Sequence, residues 1–363
     1  MPVSGKTAIS QITERRLSLF FFLICLWLSS GAAGAEQKRG DALENYVRQL
    51  GYEPIPFNYD RDVPIIEGQL GTKSCVFMVD SGCPVTALDS SMAKGLKSPS
   101  ELGVVLDDPV LGATSNINHL VVLIDKLKLG KVEFKMQPAV SNTLEMDFVS
   151  TRYRCLIGLD FLTRNFCILD CPGRRLYIRG GKPSDEISNA FAKSLLLSGL
   201  TNVPMRWDGY GHLLVDAQIN GQPVPLLVDT GCGISVLDQA EMNRLGLRPV
   251  TREKIGSYIP DDDFNAKVSG VGKIGGHKLH FTKVDMLQIG ETQWKGLYMG
   301  TTDLSAWKIM DKQGKKRLHG ALGPGTLAPE GVVIDFATRK LWFPKEESPA
   351  LRSSRDQMAG WRK

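Results

Sequence analysis

The sequence predicts a chain of two like units built largely from short strands, and three observations predict it. First, Pro225-Leu-Leu-Val-Asp229-Thr-Gly-Cys-Gly-Ile-Ser-Val-Leu-Asp238 repeats, at an offset of 149, a stretch near residue 80, Val76-Phe-Met-Val-Asp80-Ser-Gly-Cys-Pro-Val-Thr-Ala-Leu-Asp89. Second, at an offset of 165, Leu156-Ile-Gly158-Leu-Asp160-Phe-Leu162, Ile168-Leu-Asp170 and Arg175-Leu-Tyr-Ile178 match Ala321-Leu-Gly323-Pro-Gly-Thr-Leu327, Val333-Ile-Asp335 and Lys340-Leu-Trp-Phe343. Third, Leu127-Lys-Leu-Gly130 matches Leu287-Gln-Ile-Gly290, and Ile55-Pro-Phe57 matches Val203-Pro-Met205. Self-similarity in one fixed order decides architecture before any local reading does. Each unit is about 140 residues long, and the two cover most of the chain.

The repeated stretch has a simple physical content. Three apolar residues make a short strand, an Asp stands at its end, and the Gly two places on lets the chain reverse. A second apolar run, Val85 to Leu88 or Ile234 to Leu237, returns to a core. One Asp-Ser/Thr-Gly triplet is a weak signal, because Asp and Gly are ordinary turn residues. Two copies in the same apolar frame are a strong one.

In chain order, Lys6, Arg15 and Arg16 precede an apolar run from Leu17 to Leu28, and Ala33-Gly-Ala35 closes it with small residues. This is the pattern of a secretory signal peptide, so residues 1–35 are expected to be an address removed after Ala35. About twelve apolar residues are too few to span a bilayer comfortably. Residues 36–52 hold a short helix, with Asp41 as N-cap and Gly51 as stop. The first unit is expected over 53–180. In it, Asp89 to Leu96 forms a turn or two of helix, and strands at Leu120–Ile124 and Val132–Met136 flank Lys128-Leu-Gly130. Residues 181–202 read as a linker with an amphipathic helix from Glu186 to Leu200. The second unit is expected over 203–345; its Asp238-Gln-Ala-Glu241 is a capping-box pattern and Gly246 a stop. A polar tail, 346–363, closes the chain.

The order of strand, Asp-Thr/Ser-Gly loop, apolar return, glycine-bearing middle and Leu-Ile-Gly-x-Asp-Phe-Leu resembles the aspartic protease superfamily, and each half is similar to a retropepsin-like subunit. The resemblance implies an all-β fold of two retropepsin- or pepsin-like barrel lobes with a few short helices, a fused tandem standing where the family has a homodimer. It further implies one catalytic Asp per lobe, Asp80 and Asp229. By the same resemblance, Ser81 and Thr230 tie the two loops together beneath the carboxylates, and Gly82 and Gly231 turn backbone N–H groups toward them.

Two carboxylates a few ångström apart cannot both ionise cheaply, so they share a proton, and one serves as base while the other serves as acid. The aspartic protease dyad is the standard instance of this principle. No metal or cofactor is called for. The implied activity is that of an exported aspartic endopeptidase, secreted or periplasmic, acting as a monomer on an extended peptide or unfolded protein. Removal of residues 1–35 leaves 41 basic against 38 acidic residues, a net of +3. Without a long Lys/Arg run, neither nucleic acid nor a membrane surface is expected as a partner.

Some residues depart from the family pattern. Cys83 and Cys232 follow the triplets where a small or hydroxyl residue is common, and Gly325, beside Pro324, stands where the first unit has Asp160. Both features favour an alternative, a catalytically weakened peptide-binding or inhibitory protein of the same fold. A metal-binding module is a third possibility if both thiols are free, although two small buried hydrophobes are the simpler account. Cys75, Cys83, Cys155, Cys167, Cys171 and Cys232 are an even set, which in an exported chain suggests disulfides, with 15 pairings open. Cys167 and Cys171, about 13 Å apart along a strand, cannot bond each other.

Gly270-Val-Gly272-Lys-Ile-Gly275 fits a dinucleotide pattern, yet no apolar strand leads into it, and Gly270 and Gly272 are instead candidates for the lobe 2 flap. Its lobe 1 counterpart is placed near Leu111–Ser115. Ser91-Met-Ala-Lys94 lacks the companion motifs of a β-lactamase, and His277 and His280 read as exposed strand residues.

Overall fold

A computed structural model describes residues 43–98, 101, 120–142, 153–208, 211–255, 267–268, 277–304 and 318–345. Residues 1–35, Asp41, Leu111–Ser115, Gly270, Gly272 and residues 346–363 lie outside the described residues.

The first unit contributes strands β1 (Glu53–Pro56), β2 (Asn58–Asp60), β3 (Val63–Leu70), β4 (Lys73–Val79), β5 (Ala87–Asp89), β6 (Leu120–Leu129), β7 (Val132–Asn142), β8 (Cys155–Ile157), β9 (Ile168–Asp170) and β10 (Arg175–Ile178). The second contributes β11 (Leu200–Trp207), β12 (Leu213–Ile219), β13 (Gln222–Val228), β14 (Val236–Asp238), β15 (Lys267–Val268), β16 (His277–Lys278), β17 (His280–Ile289), β18 (Thr292–Thr302), β19 (Gly320–Leu322), β20 (Val333–Asp335) and β21 (Lys340–Pro344). The fold is all-β, with short helices between strands.

Six strands close a barrel in each half. In the first the order is β3-β4-β8-β5-β7-β6, and β6 returns to β3 through Gly68↔Leu129 and Leu70↔Leu127. In the second the order is β12-β13-β19-β14-β18-β17, and β17 returns to β12 through Gln218↔Gln288. Closure removes exposed strand edges. In both barrels the strand before the Asp loop and the strand after it are not neighbours. The short β8 lies between β4 and β5, parallel to β4 with Val79↔Ile157, and β19 lies between β13 and β14 in the same way. A wedge strand therefore grips each loop from inside its own barrel.

The remaining strands join the halves. Strands β1, β10, β9, β20, β21 and β11 form one antiparallel run, in which β9 of the first unit pairs with β20 of the second through Leu169↔Ile334. Residues 53–56 and 200–204 are thus strands of a sheet common to both units rather than the edges of separate lobes. Alternation along these strands sorts side chains to two faces. Leu169, Leu176, Ile178, Ile334, Leu341 and Phe343 point into the large core that also fills the first barrel and much of the second, whereas Ile168, Tyr177, Val333 and Trp342 point the other way. Two helices cover that second face: α1 (residues 43–49) through Val47, and α4 (Asp185–Leu197) through Phe191 and Leu195. Between them in sequence come α2 (Ser90–Ala93) and α3 (Leu159–Arg164). Each fully buried Leu or Phe contributes about 1.5–3 kcal/mol.

Local signals place most boundaries. Ser184 caps α4 by accepting Ile187 N–H, and the helix stops at Leu197 rather than Leu200, because Gly199 (φ 78°) turns the chain and Leu200 pairs with Pro344. Asp238 caps α5 (Gln239–Arg244) by accepting from Ala240 and Glu241, and Gly246 takes φ 68° after it. The reciprocal half of the capping box is not made. Glu241 is drawn instead to Arg244 and, at 2.9 Å, to His319 Nδ1. Strands β6 and β7 are longer than the sequence suggests and meet in a tight turn at Gly130. His280 opens β17 as an exposed residue. Among the described residues, no helix is long and apolar enough to cross a membrane.

Candidate active site

Asp80 follows β4 and Asp229 follows β13, so each carboxyl emerges at the end of a strand whose last three residues are buried. The backbone fixes both: Asp80 N–H donates to Ile157 O at 2.9 Å, and Asp229 N–H donates to Leu322 O at 3.1 Å. Only 8% and 7% of the two residues is exposed. They face each other across the junction of the barrels, each carboxyl lying over the glycine of the other's triplet. A Cβ added to Gly82 would lie 2.3 Å from Asp229 Cγ, and one added to Gly231 would lie 2.4 Å from Asp80 Cγ. Glycine is thus required in each triplet because the opposite lobe's carboxyl occupies the space.

Beneath the carboxyls the two hydroxyl residues are cross-linked. Ser81 N–H donates to Thr230 Oγ1 at 2.9 Å, and that hydroxyl donates to Val79 O at 2.7 Å. Reciprocally, Thr230 N–H donates to Ser81 Oγ at 3.0 Å, and Ser81 Oγ donates to Val228 O at 2.7 Å. All of this is buried, Ser81 and Thr230 being 0% exposed. The four bonds hold each Asp loop through the backbone of the other lobe.

The two carboxyls are not equivalent. Asp80 Oδ1 accepts N–H groups from Gly82 and Cys83, both at 3.0 Å. Asp229 Oδ1 accepts from Gly231 at 2.9 Å, while the Cys232 N–H donates to the Asp229 carbonyl oxygen at 3.3 Å. Burial raises the proton affinity of Asp80, and the two N–H bonds pull it back. Burial and then the charge of Asp80 push Asp229 well above the usual carboxylate range. The pair holds one proton between two raised carboxyls, and the second N–H bond favours the ionised form at Asp80.

Residues 66–161 match the family model described as aspartyl protease, and residues 215–297 match that described as gag-polyprotein putative aspartyl protease. Each match contains one of the two triplets. The chain carries two retropepsin-like aspartyl protease domains. Among solved structures it is similar to conglutin gamma, a basic 7S globulin from lupine seeds, at 14% identity and a TM-score of 0.45 over 84% of this chain and 97% of that one. It is also similar to the aspartic proteinase from Irpex lacteus, at 11% identity and a TM-score of 0.44 over 82% of this chain and 99% of that one. A retropepsin-like aspartic protease from Rickettsia conorii matches 40% of this chain with 89% of its own, at 18% identity and a TM-score of 0.27. No curated protein matches the chain.

The protease domains support their loops differently. In the first, Asp160 Oδ1 accepts both Thr86 N–H at 2.7 Å and Thr86 Oγ1 at 2.9 Å, and Thr86 Oγ1 accepts Gly158 N–H at 3.2 Å. In the second, Gly325 cannot do this, but the next residue can. Thr326 Oγ1 meets Ser235 Oγ at 2.6 Å, and Ser235 Oγ accepts Gly323 N–H at 3.0 Å. A hydroxyl one position later thus stands in for the missing carboxylate. Thr326→Val would leave the Ser235 hydroxyl without this buried partner and is expected to cost about 1–3 kcal/mol. Urea unfolding measures it, and an unchanged midpoint would show the contact to be dispensable.

Cys83 and Cys232 touch the site through their backbones, not their sulfurs. The Cys83 thiol donates to Val85 O at 3.0 Å and the Cys232 thiol to Ile234 O at 2.8 Å, each within its own lobe. Burial, with the charge of the neighbouring Asp, pushes both thiols well up, so they remain protonated. All six cysteines beyond residue 35 are free thiols, contrary to the pairing their even number suggests. Cys155, Cys167 and Cys171 fill core positions as small apolar groups. Among the described residues, no three His, Cys, Asp or Glu side chains gather as a metal would need. The flap candidates, Gly270 and Gly272, lie in the sequence between β15 and β16, which pair as Lys267↔Lys278 and Val268↔His277.

Proposed function

We propose that the chain is an exported aspartic-type endopeptidase that hydrolyses extended peptides with a water activated by Asp80 and Asp229. The observation that carries this reading is the buried pair of carboxyls, one per lobe, held face to face by the Ser81–Thr230 cross-link. Asp80, the better hydrogen-bonded carboxylate, takes a proton from the water, which attacks the scissile carbonyl. Asp229 carries the proton that stabilises the oxyanion and then passes to the leaving amine. The basic, apolar and small-residue pattern of residues 1–35 supports export. A strand-like substrate suits a cleft between sheets, since main-chain hydrogen bonds bind it whatever its side chains.

The pH dependence follows from the two shifts. Activity requires ionised Asp80 and protonated Asp229, so the acid limb reports the first and the alkaline limb the second. Both groups are raised, so the expected optimum lies above the ordinary carboxylate range of about 4. The test is cleavage of an unstructured peptide library from about pH 3 to pH 8 by the chain from an exporting host, with and without a statine-type inhibitor. Inhibitor-sensitive cleavage with a bell-shaped profile supports the proposal. A folded chain that cleaves nothing across the range would put the peptide-binding alternative in its place.

A further inference from the structure

Each Asp loop is touched by a turn from the other lobe at the residue four places beyond its carboxyl. On the first loop that residue is Pro84, and the connection between β11 and β12 meets it with a glycine: a Cβ placed on Gly211 would lie 2.9 Å from Pro84 Cβ. The connection is fastened at its base, where Asp208 N–H donates to His212 O and His212 N–H to Asp208 Oδ1, both at 3.1 Å, and Asp208 Oδ2 meets His212 Nδ1 at 3.0 Å. On the second loop the sizes are exchanged. The residue is Gly233, and a Cβ placed on it would lie 2.3 Å from Arg61 O and 3.7 Å from Asp62 Cβ. Gly233 has no positive φ, so the contact with Arg61, not its own conformation, requires glycine. From its own lobe, Gly233 O accepts Gly325 N–H at 3.0 Å. The Asp229 loop is thus held between that bond and the turn of the first lobe.

That turn is built from unfavoured residues. Asp60 pairs with Val63, so Arg61 and Asp62 form a two-residue loop between β2 and β3, and both are left-handed, at φ 49° and 64°. A hairpin turn with positive φ at both places favours Asn-Gly, because a Cβ there crowds the backbone. The chain uses that pair where the turn stands clear: Asn220 and Gly221, at φ 50° and 79°, join β12 to β13, and nothing lies within 4 Å of a Cβ placed on Gly221. At 61 and 62 two residues with side chains hold the same conformation, where glycine would leave the turn looser. Such strain persists where the surroundings over-determine it, and it gathers at functional sites. Here the surroundings are the Asp229 loop.

Resting on the proteolytic reading above, we propose that the Arg61–Asp62 turn is a positioning element of the dyad: braced on Gly233, it sets the Asp229 loop at the depth where its carboxyl faces Asp80. The turn acts through the backbone of the loop, four residues from the carboxyl. The brace on the Asp80 loop is of another kind, a proline ring received by a glycine, so two loops that are otherwise built alike are held by unlike contacts.

Gly233→Ala tests the brace while keeping both carboxyls and both hydroxyls. Its methyl group has to push turn and loop apart, and a displacement of about 1 Å at the reacting atoms costs on the order of 10²-fold, so kcat is expected to fall by about that factor with little change in KM. The alkaline limb of the pH profile is expected to move down, because carboxyls farther apart repel less. Arg61→Gly with Asp62→Gly lets the turn yield, and in that background Gly233→Ala is expected to lose roughly tenfold less. The loosened turn alone is expected to lower kcat by roughly threefold or more at unchanged KM, and it decides the matter if Gly233→Ala does not fold. A kcat for Gly233→Ala within about twofold of wild type overturns the proposal, and so does an equal loss in both backgrounds. One readout needs no cleavage. Urea unfolding at pH 4 and pH 7 reads the stability lost as Asp229 ionises in the fold, and Gly233→Ala, or the loosened turn in its place, is expected to lose less over that interval than wild type. An unchanged loss overturns the proposal whatever the protein cleaves. A smaller loss in a protein that cleaves nothing supports the brace and refutes the proteolytic reading alone.

Discussion

Asp229→Asn is expected to lower peptide cleavage by roughly 10³-fold or more and, at neutral pH, to make the protein more stable. The two effects have one cause. Burial and the charge of Asp80 raise the proton affinity of Asp229 in the folded state. A carboxyl whose folded pKa is raised contributes stability that is fully present below the unfolded value, about 4, and is lost as pH rises through the folded value. Asparagine cannot ionise, so the variant keeps what the wild type loses. The two proteins should be equally stable in acid and diverge toward pH 7, with the variant ahead by on the order of 1–3 kcal/mol, the cost of an incompletely satisfied buried polar group. Asp80→Asn should behave alike with a smaller stability gain, because the N–H groups of Gly82 and Cys83 already offset part of the burial. Urea unfolding at pH 4 and pH 7, alongside the peptide assay, reads both effects. A variant that is less stable at pH 7, or that keeps more than a tenth of wild-type cleavage, would remove Asp229 from the role of proton carrier.

The dyad was legible in the sequence because its signal is local. An apolar strand, an Asp, a hydroxyl residue and a Gly recur in one frame, although the carboxyl that forbids a side chain at Gly82 and at Gly231 comes from the other lobe. The common sheet was not legible, because β9 pairs with β20 across some 160 residues and neither strand carries a mark of its partner. Thr326 escaped notice for a related reason. Motif matching compares like positions, whereas Ser235 needs only a hydroxyl within reach, and the following residue provides it as well as Asp160 serves Thr86. The cysteines show the limit of counting. Parity suggests pairs, yet all six stand as free thiols, four of them buried and Cys75 and Cys232 only partly so. The Asp208–His212 pair was not legible either, because its two members meet only when the hairpin between β11 and β12 closes.

Thr230→Val should be the most damaging single change that leaves both carboxyls in place. Valine keeps the volume and removes the hydroxyl, which stands 0% exposed between the lobes. Two backbone groups then lose their partners at once, Ser81 N–H and Val79 O. At about 1–3 kcal/mol for each buried group left unsatisfied, the expected loss is ~2–5 kcal/mol by urea unfolding. Ser81→Ala should act in the same way on Thr230 N–H and Val228 O. The four bonds form one closed set, so the double variant should cost less than the sum of the singles, by a coupling of roughly 0.5–3 kcal/mol. Thr230→Ser retains both bonds and should lie within about 1 kcal/mol of wild type, the loss of one methyl group. Cleavage should fall with stability in the Val variant but not in the Ser variant, since a misplacement of about 1 Å at the reacting atoms costs on the order of 10²-fold. A Val variant within about 0.5 kcal/mol of wild type, the usual range for an inconsequential surface change, would mean that the cross-link does not hold the site. The barrels and the common sheet would then have to position the carboxyls alone. That outcome is hard to reconcile with the geometry, because each hydroxyl bonds the strand that carries the other lobe's Asp, and neither loop can shift without breaking a bond to its partner.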